Sequence, residues 1–257
     1  VEGVGALLGD SDSDSSDSSD DDWCQVFGVR RQTWKDFLYH SSHLSSGHGD
    51  VVWAASEYVA EEVLDEATLR GRRVLELGAG AGLPSIAAAS YGARVVATDA
   101  PTPASIVSLI YTAMRGPSFF RVRPLAWGDS LGDDDEEPFD VVVACDCVYN
   151  PNDHANLLTT IKNSLHSDGH AIIAFALHGN ARDDDVLAFF DAARRAGFLV
   201  DRKPGVQRPL STSMRTALGL DTEDHDPTRA ATALKRAFVH VAILRQHEMQ
   251  IPDDRTR

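Results

Sequence analysis

The residues best placed to do chemistry are a glycine-rich run and an acid that follows it about twenty positions later. Residues 74–82 read VLELGAGAG, and Asp99 ends the next apolar run, at 95–98. The apolar residues predict buried parallel strands, and the glycines allow a sharp turn with no Cβ between the backbone and a ligand. A carboxylate at the carboxyl edge of the sheet can accept both hydrogen bonds from a ribose diol. The pattern therefore predicts an adenosine pocket across the first two strands.

The glycine spacing, together with Glu76, selects among adenosine cofactors. A dinucleotide fingerprint, G-x-G-x-x-G, needs a third glycine where this chain has Leu83. The run instead reads E-x-G-x-G-x-G, with Glu76 two residues before Gly78. A carboxylate there would repel a pyrophosphate but suits a ligand with an ammonium and a sulfonium centre. We therefore predict S-adenosylmethionine, bound by Glu76, Gly78, Gly80 and Asp99.

Other kinds of catalytic site find little support. The histidines show no H-E-x-x-H spacing and the cysteines no C-x-x-C, so we expect no metal. Ser85 lies in the start of a predicted helix rather than in a nucleophile elbow, and capping or packing is its ordinary role there.

Charge and composition limit the partners. The chain has 257 residues, 43% of them apolar, and a formal net charge of −15. Seven of the negative charges lie in the Ser/Asp run at 10–22, so the rest of the chain is moderately acidic. Phosphate binding needs a basic surface, and we therefore expect no nucleic acid. A protein or small-molecule substrate fits better.

Cysteine usage and hydropathy indicate a compartment. Cys24, Cys145 and Cys147 are an odd set, and the last two share a predicted strand, which favours a reducing environment. No apolar run approaches the roughly 20 residues of a membrane span, and the first residues do not resemble a signal peptide. We expect a monomer without a membrane partner, in the cytoplasm, with the nucleus as a second compartment.

From residue 51 the predicted strands and helices alternate, with the first helix at about 55–67 and the fifth strand at about 171–177. Seven strands with helices on both faces predict an α/β, Rossmann-like doubly wound sheet, and the last strand, at 237–244, should be antiparallel because no clear crossover helix precedes it. The predicted domains are an acidic disordered tail, a flap or edge segment, the main domain with a long insertion, and a C-terminal tail, at 1–22, 23–50, 51–247 (insertion 203–234) and 248–257.

Several of these motifs together resemble a known family. The marks are V-V-W at 51–53, VLELGAGAGLPS at 74–85, W-G at 127–128 and the acid-x-x-aromatic element D-C-V-Y at 146–149. The chain resembles the seven-strand class I methyltransferases, and within them the lysine and N-terminal protein methyltransferases often called family 16. The resemblance implies that the cofactor is lined by Trp53, Gly78, Ala79, Gly80, Asp99, Trp127 and Cys145.

The acid-x-x-aromatic element gives the expected catalytic residues. Asp146 and Tyr149 follow the fourth strand, at the same sheet edge as Asp99, where they can orient an amine, and Asp146 can assist proton loss. Capping of the next helix, or bonding of loop amides, is the alternative for Asp146. Core packing is the alternative for both tryptophans. His178 is a candidate substrate contact, with a solvated loop histidine as its alternative.

The resemblance also suggests substrates. The G-L-P-S ending of the glycine loop is most similar to a fungal branch that methylates the N-terminal region of translation elongation factor 1-alpha. We therefore predict methylation of a lysine or an N-terminal amine of that protein. The alternatives are methylation of a small heteroaromatic amine such as nicotinamide, and a non-catalytic interaction module acting through the acidic tail.

Overall fold

Alternating burial along the central strands shows how the sequence builds the core. In a computed structural model, which describes residues 52–115, 120–132, 137–177, 181–210, 215 and 227–247, the odd-numbered strand residues Val141 and Val143 pack on one face of a sheet. Val142 and Ala144 pack on the other face. This period of two places a hydrophobic cluster on each side of the sheet, as expected for strands covered by helices on both faces. All of the described residues belong to one compact unit.

Eight strands form the sheet. In chain order β1–β8 are Arg73–Leu77, Arg94–Asp99, Arg121–Pro124, Phe139–Cys145, Leu165–Phe175, Phe198–Arg202, Val206–Gln207 and Phe238–Gln246. Their spatial order is β3-β2-β1-β4-β5-β8-β6, and the two-residue β7 pairs with β8. The first five strands are mutually parallel, whereas β8 is antiparallel to both β5 and β6. The predicted doubly wound fold with an antiparallel last strand is confirmed.

The helices cover the two faces of the sheet. In chain order α1–α7 are Ala54–Tyr58, Glu66–Leu69, Leu83–Ser90, Pro103–Arg115, His154–Ser164, Asp183–Arg195 and Pro227–Arg236. Residues of α1, α3 and α4 join the cluster on one face, and residues of α5 and α6 join the cluster on the other. No helix in the described ranges is long and apolar enough to cross a bilayer.

Two predicted boundaries move in the structure. The helix expected at 55–67 is divided, because α1 continues as a π-helical turn, Val59–Val63, and Asp65 then caps α2 by accepting a hydrogen bond from Thr68 N at 2.9 Å. Strand β5 begins at Leu165, six residues before its predicted start, and its pairing with β4 changes register between Phe139 and Val141. Neither shift alters the strand order.

Some predicted segments lie outside the described residues. These are the acidic tail, the 23–50 segment, the C-terminal tail and His178, for which the predictions stay as stated. The 203–234 insertion is described in part. It contains β7 and most of α7, so the segment between β6 and β8 carries secondary structure of its own.

Candidate active site

The carboxyl ends of the central strands surround a cavity of about 580 Å³. Parallel strands direct their carboxyl ends to one edge of the sheet, which is where ligands bind in open α/β folds. The cavity is lined by residues of α1, of the segments after β1, β2, β3 and β4, and of the end of α7. Nine of the predicted site residues lie on its wall: Trp53, Gly78, Ala79, Gly80, Asp99, Trp127, Cys145, Asp146 and Tyr149.

One half of the cavity, which we call the glycine-loop half, consists of residues 78–82 and Asp99. The loop is held to β2 by two backbone donors: Ala79 N donates to Thr98 O at 2.9 Å, and Gly80 N donates to Asp99 Oδ2 at 2.7 Å. Ala100 N donates to Asp99 Oδ1 at 2.7 Å. An ionised carboxylate has about four acceptor positions, so each oxygen of Asp99 keeps capacity for one ligand hydroxyl. The arrangement fits a ribose diol.

Glycine is required at position 78 for two reasons. Its φ is +63°, a conformation that side-chain-bearing residues rarely adopt. A Cβ would also lie 2.7 Å from Cys147 Sγ and 3.2 Å from Trp127 Cζ2. The loop therefore packs against two side chains of the cavity wall with no space for a methyl group.

Glu76 lies beneath the cavity rather than on its wall. Its side chain is 1% exposed, and Oε2 accepts hydrogen bonds from Ser85 Oγ and, at 2.9 Å, from Ser85 N in the first turn of α3. Burial raises the pKa of this carboxyl to about 8. The sequence predicted that Glu76 contacts the ligand. In the structure its side chain instead holds the helix that follows the glycine loop. A dinucleotide site would offer such helix amides to a pyrophosphate, and here Glu76 occupies one of them.

The other half of the cavity, which we call the β4 half, consists of Asp146, Tyr149, Asp153 and Arg236. Asp146 has a φ of +53° and is the single described residue other than glycine with a positive φ. Its N–H donates to Ala174 O, and its Oδ1 accepts from Ala176 N, both at 2.8 Å. Such a backbone costs about 1–3 kcal/mol and tends to occur at functional sites.

Of the two alternative roles predicted for Asp146, bonding of a loop amide is observed and helix capping is not. The bond to Ala176 N is the predicted contact with a loop amide. The capping residue is Asn150 instead. Its Oδ1 accepts a hydrogen bond from Asn152 N at 3.2 Å, at the start of the 3-10 turn Pro151–Asp153. Asp146 still lies on the cavity wall.

The loop that carries Tyr149 is held by a hydrogen bond between His154 and the neighbouring Val148. His154 Nε2 lies 2.9 Å from Val148 O and, because a carbonyl can only accept, carries a proton. Tyr149 is 48% exposed, and burial of the rest of its side chain is the largest cause of a raised pKa for its hydroxyl. The hydroxyl therefore stays protonated at neutral pH.

The other predicted cofactor contacts, Trp53, Trp127 and Cys145, pack against the core clusters and also line the cavity. Trp53 and Trp127 are partly buried against the two core clusters and also line the cavity, which is compatible with packing and with the predicted cofactor contact. Cys145 is 7% exposed, and burial raises the pKa of its thiol well above the usual range. It lines the cavity as a neutral group.

Sequence reasoning missed several wall residues. Cys147 packs against Gly78, and its thiol donates to Leu77 O at 3.1 Å. Arg236 is the last residue of α7, two positions after the predicted insertion, where no motif marks it. Asp153 carried a signal, since it follows the acid-x-x-aromatic element by four residues. Among the residues that the structure describes, no cluster of three or more His, Cys, Asp and Glu side chains could hold a metal ion.

The residues present fit S-adenosylmethionine. The Asp99 carboxylate suits the ribose, and a Cβ at position 78 would crowd the loop. The carboxylates of Asp99, Asp146 and Asp153 give the wall the negative charge that a sulfonium and an ammonium favour.

Comparison with known proteins supports the same conclusion. The profile of a family described as lysine methyltransferase matches residues 35–195. The protein N-terminal and lysine N-methyltransferase efm7 of Schizosaccharomyces pombe is 35% identical over 150 residues, covering 52% of this chain and 58% of that protein. The corresponding EFM7 of Gibberella zeae is 30% identical over 203 residues, covering 69% of this chain and 76% of that one. The chain thus spans little more than half the length of the first of these relatives.

A solved structure confirms the fold independently. A chain of the Haloferax volcanii complex between a methyltransferase and the Trm112 methyltransferase activator superposes with a TM-score of 0.55 at 15% identity, covering 90% of this chain and 99% of that one. Identity that low establishes the fold alone. The family match extends over more than half of the chain and agrees with the motifs of the glycine loop and of Asp146 to Tyr149. The chain belongs to the lysine methyltransferase family.

Proposed function

We propose that this chain methylates protein amines, either a lysine side chain or an N-terminal α-amine, and that translation elongation factor 1-alpha is its substrate. The observation that carries the proposal is Asp146, held in a left-handed backbone on the cavity wall beside Tyr149. The names of both relatives, protein N-terminal and lysine N-methyltransferase, support the class of substrate. The sequence resemblance supports elongation factor 1-alpha.

The chemistry requires positioning more than acid catalysis. Bound S-adenosylmethionine supplies an electrophilic methyl group. The chain must then hold a neutral amine in line with that group, and orientation of this kind contributes much of the rate. The Asp146 carboxylate can accept an amine N–H and, directly or through water, the proton that the amine loses. Its Oδ1 already accepts from Ala176 N at 2.8 Å, which fixes the plane of the carboxylate.

Tyr149 suits the approach of an aliphatic amine. Nearly half of its surface is exposed at the cavity, and its raised pKa keeps the hydroxyl uncharged. An uncharged aromatic ring attracts a cation through its π face. Asp153 adds a negative charge on the same wall, with its Oδ2 accepting from Asn150 Nδ2 at 2.6 Å. A lysine or α-amine, which is cationic in solution, is therefore drawn toward Asp146.

The test is transfer of a radiolabelled methyl group from S-adenosylmethionine. The purified chain is offered, separately, elongation factor 1-alpha, the same factor with a chemically blocked N-terminus, and nicotinamide. The Asp146→Asn variant is assayed in parallel, because Asn tolerates the left-handed backbone and can still accept from Ala176 N. We expect labelling of elongation factor 1-alpha by the native chain and a rate about 10²–10⁴-fold lower for the variant. Its affinity for S-adenosylhomocysteine should change far less.

The outcomes separate the alternatives. Label lost on blocking indicates α-amine methylation, and label retained indicates an internal lysine. Label on nicotinamide alone would contradict the proposal in favour of small-molecule metabolism. Binding of S-adenosylhomocysteine without labelling of elongation factor 1-alpha would contradict the proposed substrate, and equal rates for the native chain and the variant would contradict the role of Asp146.

A further inference from the structure

We infer that Arg236 binds the α-carboxylate at the amino-acid end of S-adenosylmethionine, so that helix α7, between β6 and β8, supplies a cofactor contact. The inference concerns how the chain binds its cofactor, and it rests on that part of the proposed function alone. Arg236 is the last residue of α7 and lies on the cavity wall, partly buried.

The charge of the wall makes Arg236 distinctive. S-adenosylmethionine carries two cationic centres and one carboxylate. The carboxylates of Asp99, Asp146 and Asp153 favour the cationic centres but repel the carboxylate. Arg236 is the single Lys, Arg or His among the wall residues that the structure describes. A guanidinium matches a carboxylate with two parallel hydrogen bonds, which makes Arg a frequent carboxylate ligand.

The glycine loop has few backbone donors to offer instead. Ala79 N donates to Thr98 O, Gly80 N to Asp99 Oδ2, and Gly82 N to Ala79 O, at 2.9, 2.7 and 2.7 Å respectively. In the first turn of α3, Ser85 N donates to Glu76 Oε2 at 2.9 Å. These are the amides with which glycine loops and helix N-termini bind anions in other folds. With these four amides bonded within the chain, the loop keeps fewer donors for a ligand carboxylate, which favours a donor elsewhere on the wall.

Topology places Arg236 at the required end. If Asp99 binds the ribose at the end of β2, the amino-acid part of the cofactor extends over β1 toward β4. Strand β8 begins two residues after Arg236, and its His240 pairs with Phe175 at the carboxyl end of β5. Arg236 therefore approaches the same sheet edge from the side opposite Asp99, beyond β4 in the order β2-β1-β4-β5-β8.

Calorimetric binding of two ligands tests the inference. One is S-adenosylhomocysteine, and the other is its decarboxylated analogue, which keeps the ammonium but lacks the carboxylate. We expect Arg236→Gln to weaken binding of S-adenosylhomocysteine about tenfold to a hundredfold and to leave the affinity for the analogue within about twofold. The native chain should prefer S-adenosylhomocysteine by a similar factor. Arg236→Lys, which keeps the charge but not the planar fork, should give an intermediate loss.

Lys235→Gln is the matched control. Lys235 is adjacent to Arg236 but lies outside the cavity, where it pairs with Asp183 at 2.9 Å. It should change neither affinity, and melting temperatures of the unliganded variants report on folding. Should Arg236→Gln not fold, the ligand preferences of the native chain and of Arg236→Lys decide the question.

Two results would overturn the inference: an equal loss for both ligands in the Arg236 variants, or no preference of the native chain for the carboxylate-bearing ligand. Failure of the proposed function has a different signature. Ligand binding that depends on Arg236, without methylation of any protein offered, would contradict that function and support this inference.

Discussion

The two halves of the cavity are built in different ways. In the glycine-loop half, the chain turns directly from β1 into α3, and the loop bonds to the neighbouring strand β2. In the β4 half, Asp146 and Tyr149 line the cavity together with Arg236, which lies 90 positions after Asp146 in the sequence. The first half depends on local backbone conformation and the second on distant segments. The glycine-loop half therefore follows from one local motif, whereas the β4 half combines the motif of Asp146 to Tyr149 with a distant residue that no motif marks.

The largest effect on the glycine-loop half should come from Asp99→Ala. The change removes the acceptor for the ribose and also the partner of Gly80 N and Ala100 N. Because hydrogen bonds to charged groups contribute about 1.5–3 kcal/mol each, we expect at least a hundredfold loss of affinity for S-adenosylhomocysteine, measured by calorimetry.

Asp201→Ala is the matched control for this loss. Asp201 is an exposed acid that pairs with Lys203 at 2.6 Å, away from the cavity. Its variant should bind normally. Native-like affinity in Asp99→Ala would show that the glycine-loop half does not bind the ribose, and the contrast between the two halves would then fail.

A smaller effect should follow from Gly78→Ala, with Gly71→Ala as its partner. Both glycines have positive φ, +63° and +75°, so both variants bear a similar backbone penalty of about 1 kcal/mol. A Cβ at position 78 would collide with Cys147 Sγ at 2.7 Å, whereas position 71 has nothing within 4 Å. We expect about tenfold weaker ligand binding for Gly78→Ala and unchanged binding for Gly71→Ala.

Calorimetry together with thermal melts separates the two contributions in this pair. Equal losses of affinity would mean that backbone strain alone governs the loop. The close packing of Gly78 against Cys147 and Trp127 would then have no part in shaping the cavity.

The last effect is on folding stability rather than on ligand binding, and it comes from Glu76, beneath the glycine loop. The pKa of Glu76 is about 8 in the folded chain, above its ordinary value of 4.5. Between these values the unfolded chain ionises while the folded chain keeps the proton, so ionisation favours unfolding. The free energy of unfolding should fall with rising pH by at most about 1.4 kcal/mol per unit from this residue. Glu76→Gln removes this dependence and can still accept from Ser85.

Urea denaturation at several pH values from 5 to 8 measures it. The stability of Glu76→Gln relative to the native chain should increase across that range. Parallel curves would mean that Glu76 has the same protonation state in the folded and the unfolded chain over this range, against the raised pKa.

Prediction from sequence succeeded where a single segment determines the structure. The strand at 73–77, the turn at Gly78 and the helix at 83–90 follow from apolar runs and glycines whose conformational requirement is local. The doubly wound sheet with its antiparallel last strand was also predicted, because the βαβ rhythm constrains the connections. The division of the first helix at Leu64 and the early start of β5 did not follow, since propensity alone does not locate a π-helical turn or a change of register.

By itself the sequence determined the fold class, the family and the position of the glycine loop, because these depend on short motifs whose spacing is fixed by backbone geometry. Only the tertiary structure decided that Glu76 bonds Ser85 rather than facing the cavity. It also decided that Asp146 adopts a left-handed backbone and that Arg236 reaches the wall. These features arise where separate strands and the insertion converge, and pairwise distances between distant segments are not encoded in any local pattern.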